Sequence, residues 1–208
     1  MVLEESMVFF EKLKARLQLD LPQDSAFGKM SPLGRLLHKP NEKTRKSAIL
    51  ILFYHYQNEL YIPLILRPKY DGVHGGQMAF PGGRMEKTDQ SLIFTALREA
   101  QEEIGIKVHD VHILGQLTEI YIPPSNFLVQ PVVGYLKYRP DFYPDEREVD
   151  KIFELSLTEL SNQDNIKADK MMINGHLLDT AYYQLQDQKV WGATAMIIAE
   201  LLEVIKSS

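Results

Sequence analysis

Residues 80–106 read FPGGRMEKTDQSLIFTALREAQEEIGI, and this stretch decides how the chain is organised. A short strand, Met78–Phe80, enters a turn at Pro81, Gly82 and Gly83. Beyond it Leu92, Ile93, Ala96, Leu97, Ala100 and Ile104 recur at helical spacing, which predicts a helix over about 90–104. Asp89 is expected as its N-cap and Gly105 as its C′ stop. Glu99, Glu102 and Glu103 stand at i, i+3 and i+4, so their carboxylates share one face, turned away from the apolar stripe. Glu99 and Glu103 repel each other, at a cost of a few tenths of a kcal/mol in a bare helix. A divalent cation between them reverses the sign. Hard cations such as Mg²⁺ take carboxylate oxygens and water, and complete their shell with substrate phosphates.

Upstream, SAILILFYH (47–55) and LYIPLILR (60–67) read as two strands around a turn at 56–59. Pro63 inside the second argues for an edge position or a bulge. Residues 68–77 are loop. At the N-terminus, Leu3, Met7, Phe10, Leu13 and Leu17 form a helical stripe over 3–19. Prolines and glycines make 20–46 an irregular arm. Downstream, extended segments are expected at about 108–122 and 127–138, joined by Pro123, Pro124, Ser125 and Asn126. The acidic loop 139–148, RPDFYPDERE, precedes a strand at 149–155 and a short helix at 156–162. Asn174-Gly175 suggests a type I′ hairpin, and a helix over 192–206 closes the chain. Strands and helices alternating without strict βαβ repetition imply a mixed α/β fold, one mixed sheet covered by helices on both faces.

Composition narrows the function. With 208 residues, the chain suits one domain plus a short appendage, residues 1–44 against 45–208. A net charge of −5 without a basic tract argues against a nucleic-acid partner. Cysteine is absent, which excludes disulfides and thiolate chemistry. MVLEESMVFF is acidic ahead of its apolar residues, unlike a secretion signal. No apolar run reaches 18 residues, so no membrane span and a cytoplasmic location are expected.

An acidic cluster such as EAQEE is commonly just a solvated helix face. Here it belongs to a longer pattern that closely resembles the Nudix box, the signature of the Nudix hydrolases. Arg98, Glu99, Ala100, Gln101, Glu102, Glu103, Ile104, Gly105 and Ile106 match its second half completely. In the first half the glycines are Gly82 and Gly83 and the nearest acid is Asp89, one residue more than the pattern allows. The resemblance covers roughly 45–206 and implies an α/β/α sandwich. It also implies hydrolysis of a nucleoside diphosphate linked to another moiety, with Mg²⁺ or Mn²⁺ as cofactor. The expected metal ligands are Glu99 and Glu103, with Glu102 additional. Arg98 cannot lose its proton and is expected to orient a carboxylate, Glu102 one turn on. Gly82 and Gly83 let backbone N–H groups approach metal or phosphate. Glu148 is the first candidate for a supporting base, on a loop that also offers Asp145 and Glu146.

The branch can be read further. LILRPKYDGVHGGQMAFPGG and VWGATAMIIAELL resemble the coenzyme A pyrophosphatases, with Leu64, Arg67, Gly76 and Phe80–Gly83 at that branch's spacing. Ile65, Pro68 and Gly72 depart from it, Gly72 standing where the branch carries an arginine. The resemblance implies that Arg67 and His74 contact substrate, coenzyme A or its thioesters. ADP-ribose or another nucleotide conjugate is the alternative. A non-catalytic Nudix-like ligand sensor is a third reading, but such proteins often lack intact box glutamates and add a basic winged helix. Homodimers are common in the wider family.

Overall fold

The structure, a computed structural model, describes residues 3–31, 39–69, 74–173 and 176–207. Its first half comprises helices α1 (Leu3–Arg16) and α2 (Gln23–Met30), strands β1 (Arg45–Tyr56), β2 (Glu59–Leu66), β3 (Met78–Ala79) and β4 (Gly82–Arg84), and helix α3 (Leu92–Ile104). Strands β5 (His112–Gln116), β6 (Ile120–Ile122), β7 (Phe127–Leu136) and β8 (Lys151–Ser156) follow, then helix α4 (Leu157–Ser161). The chain closes with β9 (Ile166–Ile173), β10 (His176–Leu185), β11 (Gln188–Val190) and α5 (Gly192–Lys206).

β1 is apolar at nearly every position from Ala48 to Tyr54 because both of its faces are covered. Ala48, Leu50, Leu52 and Tyr54 pack in one cluster with Ala96, Ala100 and Ile104 of α3. Ile51 and Phe53 pack in another with Phe10 and Leu13 of α1, Phe27 of α2 and Met196 and Leu201 of α5. β7 runs parallel to β1 from Arg45↔Phe127 to Tyr54↔Leu136. The remaining pairings are antiparallel: β2 and β4 on β1, β3 and β8 on β2, and β5 and β6 on β7. The eight-stranded sheet is therefore mixed, between α3 on one face and α1, α2 and α5 on the other. A separate antiparallel sheet, β11-β10-β9, packs through β10 against α2 and α5. Among the described residues no helix is long and apolar enough to cross a membrane.

Pro63 is tolerated because β2 is paired with β1 only over Glu59–Tyr61. Beyond that point β2 is paired through to Leu66 with β8, so a missing donor need not interrupt a two-sided ladder.

Two local expectations need correction. The segment 20–46 is not irregular throughout, since α2 occupies Gln23–Met30 and buries Ala26, Phe27 and Met30. It is clamped to α5, with Glu203 accepting from Ser25 Oγ at 3.0 Å and paired with Lys29. Helix α3 starts at Leu92 rather than about 90, and its cap is Ser91, whose hydroxyl accepts from Phe94 N at 3.1 Å. Asp89 is drawn elsewhere. Gly105 takes the left-handed conformation expected of a C-terminal stop, φ 70°. Asn174, Gly175 and Gly72 lie outside the described residues.

Candidate active site

The site is assembled where β4 meets β1 and the last turns of α3 pass over that junction. Gly82 has φ 153°, and a Cβ there would lie 2.3 Å from Ala48 O and 2.5 Å from Ile49 Cα. Only glycine allows β4 so close to β1. The Gly82 N–H donates to Glu103 Oε2 at 2.7 Å, and its carbonyl accepts from Arg67 Nη2 at 3.1 Å. At Gly83 a Cβ would meet Glu99 Oε2 at 2.3 Å and Cδ at 2.4 Å, so the Glu99 carboxylate rests in the space a side chain would fill. The paired glycines thus seat one box carboxylate each.

Electrostatics separates these acids. Glu103 is 1% exposed. Burial pushes its pKa up to about 7, while Arg67 (3.5 Å away) and the Gly82 N–H oppose the rise and the charges of Glu99 and Glu148 add to it. Glu99 is raised as well, chiefly by burial, against Arg98 and with Glu102 and Glu148 adding. The cluster is short of positive charge.

Arg98 organises the flank. Its Nε and Nη2 donate to Asp89 Oδ1 and Oδ2, each at 3.0 Å, and Nη2 lies 2.9 Å from Glu99 Oε1. Nη1 donates to Glu102 Oε2 at 2.8 Å, and Nη2 to Arg84 O at 3.1 Å. Asp89 also accepts from Thr95 Oγ1 and from Glu86 N, each at 2.9 Å. The Arg98 guanidinium, ahead of these two donors, holds the Asp89 carboxyl at about 2, below the ordinary 3.8. So Asp89, expected as a helix cap, is a buried clamp on Arg98. No spacing rule links positions nine apart across a helix start, and only its placement in the first half of the motif hinted at a role.

The loop after β7 completes the surroundings. Tyr143 N donates to Ile104 O and Asp145 N to Glu103 O, each at 3.0 Å, satisfying carbonyls at the end of α3 that lack helical partners. Asp145 is held by Arg147 through Nε at 3.0 Å and Nη2 at 2.6 Å. Glu148 is exposed, and of the loop acids it is the one whose charge pushes both Glu99 and Glu103 upward. His74 lies half-buried in a turn with Nδ1 3.4 Å from Gln77 Oε1. Gln77 O in turn accepts from Arg67 N at 3.1 Å.

Glu99, Glu103, Gly82, Gly83 and Arg67 therefore converge, Arg98 and Glu102 flank them, and Glu148 approaches from the neighbouring loop. The family model for the NUDIX domain matches residues 43–174. A relative from Yersinia pestis (strain Pestoides F), described as the uncharacterized Nudix hydrolase NudL, is 36% identical over 195 residues, 91% of this chain and 92% of its own length. The chain belongs to the Nudix family. Solved Nudix structures share the fold at low identity. A MutT/nudix family protein from Enterococcus faecalis aligns with a TM-score of 0.56 at 14% identity, over 91% of this chain and 76% of that one. The Nudix hydrolase RenU from M. smegmatis aligns at 0.55 and 17%, over 78% and 86%.

Nudix hydrolases cleave nucleoside diphosphate-linked compounds and generally use Mg²⁺ or Mn²⁺. The donor set fits a hard cation. Glu103 is a buried carboxylate whose nearest cation is 3.5 Å away, and Glu99 is pressed beside it against the same glycine turn. Among the described residues no three His, Asp or Glu side chains stand together to hold a metal ion, so Glu102, paired with Arg98, is not gathered with Glu99 and Glu103. A hard cation that keeps several waters needs only one or two carboxylates.

Proposed function

We propose that this Nudix hydrolase cleaves the diphosphate of coenzyme A or its thioesters, giving 3′,5′-ADP and 4′-phosphopantetheine or its acyl form. The observation that carries the reaction type is the seating of Glu103 and Glu99 on Gly82 and Gly83. Glu99 and Glu103 would hold the divalent cation. When bound, it would neutralise diphosphate charge and lower the pKa of an attacking water. Arg98 keeps Glu99 and Glu102 in place, itself fixed by Asp89. Both described contacts of Arg67 use Nη2, which leaves Nε and Nη1 for a phosphate oxygen. Glu148 stands next to the cluster without being committed to it, as a base for water would.

The choice of substrate is supported by the segment Leu64–Gly83 and the lengthened loop ending in Asp89, both resembling the coenzyme A branch. Gly72, in place of that branch's second arginine, weakens the coenzyme A assignment, and because the box selects the diphosphate and not the flanking group, ADP-ribose is the second reading. The test is a product assay across coenzyme A, ADP-ribose and dinucleoside polyphosphates with Mg²⁺ and with Mn²⁺. A kcat/KM for coenzyme A above that for ADP-ribose is expected; the reverse order rejects the coenzyme A assignment.

A further inference from the structure

A cleft of about 520 Å³ opens beside the end of α3, between the loop after β7 and strand β8. Its lining includes Arg139, Asp141, Phe142, Tyr143, Ile152 and Glu154. Nothing in the box motif accounts for it. We infer that this cleft seats the nucleobase of the substrate, an uncharged heteroaromatic ring stacked on Tyr143; the inference rests on the diphosphatase reading above.

Three observations carry it. First, the cleft is held in register with the reaction centre. Tyr143 N and Asp145 N bind the carbonyls of Ile104 and Glu103, so the residues that line the cleft are tied to the turn bearing the Glu103 carboxylate. Phe142 and Ile152 continue the apolar cluster that contains Ala100 and Ile104.

Second, its polar groups are already ordered. Arg139 donates to Glu154 through Nε at 2.9 Å and Nη2 at 2.6 Å, and Tyr54 Oη donates to the same carboxylate at 2.7 Å. The Arg139 guanidinium also lies over the Tyr56 ring, 4.6 Å from its centroid. These contacts use Nε and Nη2, so Nη1 of the fixed guanidinium is left to meet the polar edge of a base without losing further side-chain freedom.

Third, charge and exposure select the class of occupant. One cation faces two carboxylates, Asp141 and Glu154, and Arg139 is neutralised by Glu154, so an anionic phosphate is disfavoured. Tyr143 is 70% exposed, a large ring left in water with Phe142 beside it. An exposed aromatic face at the rim of a small polar cleft suits base stacking, which tolerates any base.

The test compares wild type, Tyr143→Ala and Tyr143→Phe. KM for the best substrate of the product assay and inhibition by free adenosine are read for each, together with thermal unfolding. Tyr143→Ala is expected to raise KM about fivefold or more with kcat changed less than twofold, and to weaken adenosine inhibition by a similar factor. Tyr143→Phe keeps the ring and is expected to restore both. Unchanged KM and unchanged adenosine inhibition in a folded Tyr143→Ala protein overturn the inference. Direct binding of adenosine to the metal-free proteins separates this outcome from failure of the function itself. If wild type hydrolyses no nucleoside diphosphate conjugate, the diphosphatase reading falls. Adenosine binding lost in Tyr143→Ala still supports the nucleobase seat in that case, and binding equal in both proteins refutes it.

Discussion

Replacing Asp89 with asparagine probes a residue that the motif alone leaves without a role. The side chain is fully buried and bonded to Arg98, Thr95 and Glu86 N. The gap between its pKa of about 2 and the ordinary 3.8 corresponds to about 2 kcal/mol of folding free energy at pH 7. Asp89→Asn keeps the shape and removes that charge. For a chain of this size, a Tm lower by about 4–8 °C is expected. The sign with pH follows from a depressed carboxylate. The contribution is present above 3.8 and lost as pH falls through about 2, so the difference in stability between wild type and variant holds from pH 7 to pH 5, shrinks by pH 3 and closes below pH 2. Function should suffer separately. Released from Asp89, Arg98 is free to move with Glu99 and Glu102, and a misplacement of about 1 Å in a catalytic constellation costs roughly 100-fold. Scanning calorimetry across pH and steady-state hydrolysis measure the two effects. An Asp89→Asn protein that melts within 1 °C of wild type and turns over normally would refute the clamp.

Other substitutions separate shape from chemistry. Glu148→Gln is expected to lower kcat by about 10²–10⁴-fold with metal affinity nearly unchanged. Asp145→Asn, on a side chain already held by Arg147, and Glu146→Gln should do much less; if all three are fully active, the base belongs among the box glutamates. Gly83→Ala pushes first against the end of the Glu99 side chain, so kcat should fall more than 10-fold while Tm moves by less than about 2 °C, which kinetics and calorimetry read together. Phe27→Ala, in α2, should destabilise by about 3 kcal/mol, read by urea titration. An unchanged midpoint would mean that α2 adds nothing to the core.

Much of this fold is legible in the chain because its elements are locally consistent. The doubly buried β1 could be read as a bounded apolar run and the stripe of α3 from its period, while the role of the glutamates came with the resemblance to the Nudix box. Helix α2 could not, since eight residues behind Pro22, with Gly28 inside, give too short a pattern, and its helicity depends on Phe27 and Met30 reaching the core. Of the three-stranded sheet only the hairpin at Asn174-Gly175 was signalled, and β9 and β10 on either side of it do pair antiparallel; the rest was hidden because β9 is largely exposed and shows no apolar alternation. At the site, the glutamates were visible because their spacing is local. The Asp89–Arg98 clamp and the seating of Glu99 on Gly83 are contacts between separate elements, which no spacing encodes. The docking of Tyr143 and Asp145 on the last turn of α3 is likewise a consequence of how the β7–β8 loop packs.

The most direct test of the site is Glu103→Gln, which preserves size and the backbone contact while removing the buried charge. Turnover of the best nucleoside diphosphate conjugate should be measured at saturating Mg²⁺, alongside the Tm. A fall in kcat of at least about 10³-fold with little loss of stability is expected, because charge neutralisation at the diphosphate is worth several kcal/mol. Activity within about threefold of wild type in a folded Glu103→Gln protein would contradict the assignment of Glu103 to the cation.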